Sequence, residues 1–172
     1  MNNFTEIKIE TVNESFFNKI GKQWMLVTAG NKESFNTMTA SWGGIGVLWN
    51  MNTAFSFIRQ SRYTLEFLDK NDYYTLSFFG GKYMKELTFC GRNSGRDTDK
   101  IKETGFTPVF PDSPYDTVAF DEAELVLVCR KLYKQAMTGE CFIDKSLITN
   151  NYSDNDWHEV FVGEIVKAYK KK

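Results

Sequence analysis

The chain has 172 residues, of which 42% are hydrophobic and 16% aromatic, and this predicts one globular domain over residues 1–172 that needs no disulfide or structural metal. Lysine and arginine together number 21 and aspartate and glutamate 22, so the net charge of −1 lacks the basic footprint of a duplex nucleic-acid binder. Three cysteines without a C-x-x-C pair give neither a disulfide framework nor a zinc site. Without a visible signal peptide or membrane-length apolar run, we expect a cytoplasmic protein that does not enter a membrane.

The first half of the chain predicts strands that alternate with short helices. We expect, in chain order, a helix over 12–20 that Gly21 ends, a strand over 23–28, a turn at 29–31, and strands over 35–42 and 53–58. The run Gly43–Gly46 between the last two strands predicts a flexible connection. Thr64 is then expected to cap the N-terminus of a helix that begins with residues 64–68.

The second half of the chain is richer in strands. It predicts a strand over 73–79, helices over 82–89 and 97–103, one or two strands over 123–137, a strand at 140–144, and one strand or a strand pair over 157–169. Gly105 is expected to stop the second of these helices. Because strands outnumber helices and the helices are inserted singly, we expect a mainly β fold, an antiparallel barrel with peripheral helices.

The segment Arg59–Thr64 concentrates groups that bind anions, between a predicted strand and a predicted helix. Its two guanidinium groups can donate paired hydrogen bonds to a phosphate, its hydroxyls are further donors, and amide N–H groups at a helix start favour an anion. The alternative is a solvated, capped loop whose arginines pair with nearby acidic residues. The segment alone leaves both interpretations open.

Two further polar segments are candidates for ligand contacts. Cys90–Lys100 contains two glycines that allow amide N–H groups to turn toward an anion, but it lacks the Gly-Lys-Ser/Thr of a Walker motif. Asn36–Gly44 places small and hydroxyl side chains beside Trp42 at a strand end, where a planar ligand could approach the backbone. An ordinary surface loop and an edge strand are the alternative interpretations of these segments.

Taken together, these segments resemble the flavin reductase-like FMN-binding split-barrel family in their order and spacing. The matching motifs are Asn36-x-Met38-Thr39-Ala40-Ser41-Trp42, Arg59-x-Ser61-Arg62-Tyr63-Thr64, Ser94-Gly95-Arg96 with Lys100, and His158-Glu159-Val160-Phe161-Val162-Gly163-Glu164-Ile165. The resemblance spans about residues 15–168. The chain departs from the family pattern at Met51-Asn52, where the family often has a proline.

The resemblance implies a six-stranded split barrel that forms a homodimer, with FMN near the subunit interface. It implies that Asn36 and Met38–Trp42 line the isoalloxazine ring and ribityl chain, and that the Arg59–Thr64 motif holds the phosphate. Ser94, Gly95 and Lys100 would complete the site, from the same or the neighbouring subunit. The residues assigned to FMN are therefore Asn36, Met38, Thr39, Ala40, Ser41, Trp42, Arg59, Ser61, Arg62, Tyr63, Thr64, Ser94, Gly95, Lys100 and His158.

The resemblance implies an NAD(P)H-dependent flavin reductase that transfers hydride from NADH or NADPH to FMN. The alternatives are a flavoredoxin-like electron carrier that serves a redox protein partner, and a binding module without flavin. No dedicated acid–base pair is required, because FMN itself performs the hydride and electron steps. Gly44-Ile45-Gly46 is not followed by the third glycine of a dinucleotide fingerprint, so no Rossmann unit is predicted. The resemblance to the split-barrel family implies that the nicotinamide stacks directly on the flavin.

His158 is the only histidine in the chain, so a multi-histidine metal site cannot form, and no metal is predicted. It either approaches the flavin edge and tunes its potential, or it is a structural residue beside Trp157. Cys90 is likewise either a redox thiol or a buried, inert one.

Overall fold

The computed structural model describes all 172 residues, and strands dominate it. The strands are β1 (Phe4–Ile7), β2 (Met25–Gly30), β3 (Phe35–Ala40), β4 (Gly43–Leu48), β5 (Met51–Arg59), β6 (Tyr73–Phe78), β7 (Pro108–Val109), β8 (Ala119–Phe120), β9 (Leu125–Ala136) and β10 (His158–Lys171). The helices are α1 (Phe16–Gly21), α2 (Thr64–Lys70), α3 (Met84–Arg92), α4 (Lys100–Thr104) and α5 (Ser146–Asn151). The longest helix has nine residues, and none is long and apolar enough to cross a bilayer.

Eight of the strands form one antiparallel sheet in the order β3-β2-β6-β9-β10-β5-β4, with β1 added to the far end of β10. β7 and β8 form a separate two-stranded ribbon. Strands β3 and β4 follow each other in the chain but lie at opposite ends of this order and make no ladder with each other. The sheet is therefore open between them, and Ser41 and Trp42 carry the chain across the opening.

Alternation along the central strands divides the apolar side chains between two cores. Leu125, Leu127 and Cys129 of β9 face a cluster of 17 buried residues, which also takes side chains from β2, β3, β5 and β6. Val126 and Val128 face the other way, into a cluster of 12 buried residues that α3 and the β7–β8 ribbon cover. A strand buried on both faces has no polar alternation, and this is why 125–129 is a continuous apolar run.

The predicted architecture is confirmed: the protein is an antiparallel sheet with single peripheral helices. The sequence predicted either one strand or two over 123–137 and over 157–169, and each region contains one long strand, β9 and β10. Gly105 ends α4 in the left-handed conformation with φ 69°, as a C-terminal glycine should. The sheet has eight strands where the resemblance implied six.

Three local predictions were wrong. Gly43–Gly46 is not a flexible connection but lies in β4, because the ring of Phe55 on the neighbouring strand covers Gly44 and Gly46. Residues 140–144 contain no strand; a 3-10 turn at Gly139–Cys141 leads into α5, and the Asp144 carboxylate accepts the Ser146 N–H at 3.0 Å. Thr64 is the first residue of α2 and not its cap.

Several boundaries also moved. The first helix begins at Phe16, because Ser15 caps it by accepting the Asn18 N–H at 3.4 Å. The predicted turn at 29–31 begins later, since β2 continues to Gly30. The predicted helix over 97–103 begins at Lys100, where the Asp99 carboxylate caps the chain. Strand β1, the β7–β8 ribbon and α5 were not predicted.

Candidate functional site

The predicted site residues line one groove at the opening between β3 and β4. Every one of the fifteen borders one of two cavities, which share Met38 and Arg62. The central cavity has a volume of about 160 Å³ and is lined by Met38, Thr39, Ala40, Ser41, Trp42, Phe57, Arg59, Arg62 and His158. The cationic pocket has a volume of about 110 Å³ and is lined by Asn36, Met38, Ser61, Arg62, Tyr63, Thr64, Arg92, Asn93, Ser94, Gly95 and Lys100.

The cationic pocket is built to receive an anion. Arg62, Arg92 and Lys100 border it, and no acidic side chain does. Lys100 is buried, and its Nζ donates to the carbonyl oxygens of Thr37 at 2.7 Å and Cys90 at 2.8 Å. An ammonium group has three donors, so one remains beyond these two bonds. Burial, with the nearby Arg62 charge, lowers the pKa of Lys100 to about 8, so the amine is still mostly protonated at neutral pH.

A close contact between β3 and the loop after α3 shapes the wall of the cationic pocket. The Asn36 amide donates to the Thr64 hydroxyl at 2.8 Å, and both side chains are buried. A Cβ on Gly95 would lie 1.9 Å from Oδ1 of Asn36, so only glycine fits there without movement. Thr64 therefore uses its hydroxyl to connect α2 to β3, which explains why it does not cap the helix.

The two arginines of the Arg59–Thr64 segment have different surroundings. Arg62 makes no ion pair, and its Nη1 donates to the carbonyl oxygen of Gly91 at 2.6 Å. Arg59 donates from Nη1 to the carbonyl of Asp156 at 2.7 Å and from Nη2 to that of Asn151 at 2.9 Å. Its Nη1 also lies 3.8 Å from the Asp154 carboxylate. Two of the five N–H donors of Arg59 thus bond to carbonyl oxygens of α5 and of the segment after it.

Ser61 is committed to the same segment. Its N–H and its hydroxyl donate to the two carboxylate oxygens of Asp156 at 3.0 and 2.6 Å. The Asp156 carboxylate therefore uses the Ser61 donors that could otherwise bind a phosphate. The positively charged residues Arg62 and Lys100 still line the cationic pocket. Of the positive groups predicted to hold a phosphate, Arg62 and Lys100 therefore border the cationic pocket together, whereas Arg59 borders the central cavity and bonds to Asn151 and Asp156.

His158 lies opposite Arg59 across the β5–β10 ladder and borders the central cavity among aromatic rings. Its ring is 5.1 Å from that of Trp42 and 6.5 Å from that of Phe57, measured between centroids. Burial, reinforced by the positive charge of Arg59, lowers the pKa of His158 to about 4. The imidazole is therefore neutral at physiological pH.

A third, apolar pocket adjoins the central cavity through Ser41, Trp42 and Phe57. Its volume is about 530 Å³, and none of its lining residues is charged. Phe16, Phe17 and Ile20 of α1 form one side, and Tyr152 and Met137 belong to the segment between β9 and β10. The arrangement is suited to an uncharged ring lying next to whatever fills the central cavity.

Sequence reasoning missed several residues of the groove. Arg92 and Asn93 were within the Cys90–Lys100 segment, and the charge of Arg92 was the signal for it. Phe57 was recognised only as a strand residue. Asp156 and Tyr152 gave no signal, because their contacts with Ser61 and His158 depend on how the segment after α5 folds back. Cys90 is buried, and burial raises its pKa to about 11, which keeps the thiol protonated and unreactive.

Comparison with solved structures assigns the fold to the FMN-binding split barrel. An FMN-binding domain of a flavin reductases-like enzyme from Shewanella baltica OS155 has a TM-score of 0.68 at 12% identity, covering 98% of this chain and 78% of that chain. Flavoredoxin from Methanosarcina acetivorans has a TM-score of 0.65 at 24% identity, covering 96% and 76%. Nitrilotriacetate monooxygenase component B from Bacillus cereus has a TM-score of 0.68 at 14% identity, covering 98% and 83%.

The sequence agrees with this assignment. The model of the family described as "Flavin reductase like domain" matches residues 17–172. No curated protein sequence matches the chain. The chain belongs to the flavin reductase-like FMN-binding split-barrel family, as its motifs predicted.

Proposed function

We propose that the groove binds FMN, with the phosphate in the cationic pocket and the isoalloxazine ring in the central cavity. The observation that carries this proposal is the asymmetry of the groove. One end presents Arg62, Arg92 and Lys100 without an acid, and the other presents Trp42 and His158. FMN has the same asymmetry, because a dianionic phosphate and a flat aromatic ring are joined by a polar chain.

The walls between the two ends fit the rest of the cofactor. Thr39, Ala40 and Ser41 line the central cavity with small side chains, and the Thr39 hydroxyl donates to the carbonyl oxygen of Leu87. Gly95 allows the backbone of the loop after α3 to approach β3 closely at the phosphate end. These small side chains leave room for the ribityl chain. In this proposal Arg59 and Ser61 act indirectly, since they hold the segment that ends at His158.

We propose further that the protein is a reductase that accepts hydride from NADH or NADPH. FMN supplies the hydride-accepting chemistry when bound, and the protein supplies binding, orientation and exclusion of water. The apolar pocket supports this, because the dihydronicotinamide ring is uncharged and flat and could lie there against the flavin. Without a cation in that pocket, the phosphates of the dinucleotide would have to extend toward solvent.

An electron carrier is the second candidate function. At the mouth of the groove Trp42 is 46% exposed and Phe17 is 94% exposed, so a redox protein could contact this rim directly. A carrier would keep FMN through repeated cycles and would not oxidise NAD(P)H by itself.

Anaerobic mixing of the FMN-loaded protein with NADH or NADPH separates the two functions. We expect the visible absorption of FMN to bleach with stoichiometric oxidation of the nicotinamide. Gly21→Leu should slow this step without changing FMN affinity, because a side chain at Gly21 projects into open space beside the apolar pocket. Lys22→Leu, next in the chain and outside the pocket, is the matched control. If neither nucleotide bleaches the flavin while a strong chemical reductant does, the protein is a carrier.

We also propose that the protein works as a homodimer. Strands β3 and β4 present unpaired edges, and Val47 of β4 and Trp49 just after it are 73% and 54% exposed. Open edges and exposed apolar side chains of this kind are normally covered by another chain.

Light scattering of the FMN-loaded protein at micromolar concentration should therefore give twice the mass of one chain. Val47→Lys should shift the equilibrium toward the monomer by placing a charge on the exposed face of β4. A wild-type protein that is monomeric with FMN bound would contradict the homodimer.

A further inference from the structure

The segment between α5 and β10 places a tyrosine against the only histidine of the chain. The Oη of Tyr152 lies 2.9 Å from Nδ1 of His158, and both side chains are buried. Tyr152 stacks on Trp157 with 4.7 Å between the ring centroids and an angle of 16° between the rings, and Cζ of Arg59 lies 5.5 Å from the centroid of the Tyr152 ring. The tyrosine is therefore held on several sides and has little freedom to turn away from His158.

The direction of this hydrogen bond can be decided from its surroundings. The only other acceptor near the tyrosine hydroxyl is Sδ of Met137, at 3.7 Å. A thioether is a weak acceptor and an imidazole nitrogen is a strong one, so the hydroxyl proton goes to Nδ1. A neutral imidazole whose Nδ1 accepts must carry its proton on Nε2.

We propose that Tyr152 is a positioning residue that fixes His158 as the Nε2–H tautomer, so that a neutral donor is available at the central cavity. Its target would be an acceptor atom of the flavin ring, and this second part rests on the proposed function. Tyr152 borders the apolar pocket while His158 borders the central cavity, so the pair forms the wall between them.

The charges around His158 keep this donor neutral. Arg59 faces it from β5 and Arg62 from the loop before α2, and both disfavour a second positive charge. Asp156 acts in the opposite direction, but its carboxylate is held by Ser61. Because the Tyr152 hydroxyl donates only to the unprotonated Nδ1, it also favours the neutral form.

Nitrogen NMR of protein labelled with ¹⁵N-histidine tests the tautomer directly, because a chain with one histidine gives one pair of imidazole signals. For wild type at neutral pH we expect an unprotonated Nδ1 and a protonated Nε2, unchanged until the pH approaches 4. In Tyr152→Phe the Nδ1 signal should lose its hydrogen-bond shift, and the pKa of His158 should rise above its wild-type value while burial and the Arg59 charge still hold it below the ordinary one. Tyr133→Phe, which removes an exposed hydroxyl outside the groove, should change neither.

Two further measurements keep the test decisive. Met137→Leu removes the competing acceptor without touching the tyrosine, and it should leave the tautomer as in wild type. Adding FMN should shift the Nε2–H signal. A wild-type Nδ1 that carries the proton, or spectra of Tyr152→Phe identical to wild type, would overturn the role of Tyr152. If FMN binds without moving the Nε2–H signal, His158 does not contact the flavin, although the proposed function stands.

Discussion

Arg62→Ala should weaken FMN binding by roughly tenfold to over a hundredfold and leave riboflavin binding nearly unchanged. The reason is that riboflavin has the ring without the phosphate, so only FMN would lose the charge-assisted hydrogen bonds in the cationic pocket, each of which contributes about 1.5–3 kcal/mol. The wild-type preference for FMN over riboflavin should therefore collapse in the variant. Fluorescence titration of the apoprotein with each ligand measures both affinities.

Two neighbouring arginines are the controls for Arg62. Arg96 lies outside the pocket, stacked on Tyr63 and paired with Glu66 at 2.5 Å, so Arg96→Ala should change neither affinity much. Arg59→Ala should weaken both ligands to a similar degree, because it releases the segment between α5 and β10. Equal losses for FMN and riboflavin in Arg62→Ala would mean that the phosphate lies elsewhere.

Protonation of His158 should make its own contribution to the fall in the free energy of unfolding between pH 6.5 and pH 4. The pKa of His158 is about 4 in the folded protein and about 6.5 in the unfolded chain, so in this window only the unfolded chain binds the proton. Stability from His158 is then complete above pH 6.5 and is lost as the pH falls toward 4. The shift corresponds to about 3–4 kcal/mol, since one pKa unit is worth about 1.4 kcal/mol.

Urea unfolding across this pH range, compared with His158→Gln, isolates the contribution of the histidine. The acidic residues of both proteins respond to pH in the same way, and glutamine does not titrate. The wild-type curve should therefore be steeper than that of the variant between pH 6.5 and pH 4. Parallel curves would show that His158 titrates normally in the folded state.

Most strands were predictable from the sequence because buried strand positions carry apolar residues in a recognisable pattern. The run 125–129 is apolar because both faces of β9 are buried, and Phe55 and Phe57 recur with the period of a strand. It failed at Gly43–Gly46, where the strand depends on the Phe55 ring of its neighbour and not on the glycines themselves. Local propensity carries no information about such a cross-strand contact.

The candidate site was predictable as a set of residues and not as a set of contacts. The resemblance named fifteen residues, and all of them line the groove, because motif order reports which loops meet at the opening of the barrel. It did not distinguish Arg59 from Arg62, since that difference depends on the Asn151 and Asp156 carbonyls about 90 residues later in the chain. Tyr152 and His158 are only 6 residues apart, but their pairing depends on the fold of the loop after α5, and neither this helix nor the loop was predicted.

The most direct test of the account is titration of the wild-type apoprotein with FMN and riboflavin under identical conditions. We predict one FMN bound per chain, at least roughly tenfold tighter than riboflavin, as the loss of one or more charge-assisted bonds requires. The flavin fluorescence should be quenched on binding and partly recovered in Trp42→Ala, because the Trp42 ring borders the proposed ring site. A protein that ignores added FMN, or that binds both flavins equally, would contradict the assignment of this groove to FMN.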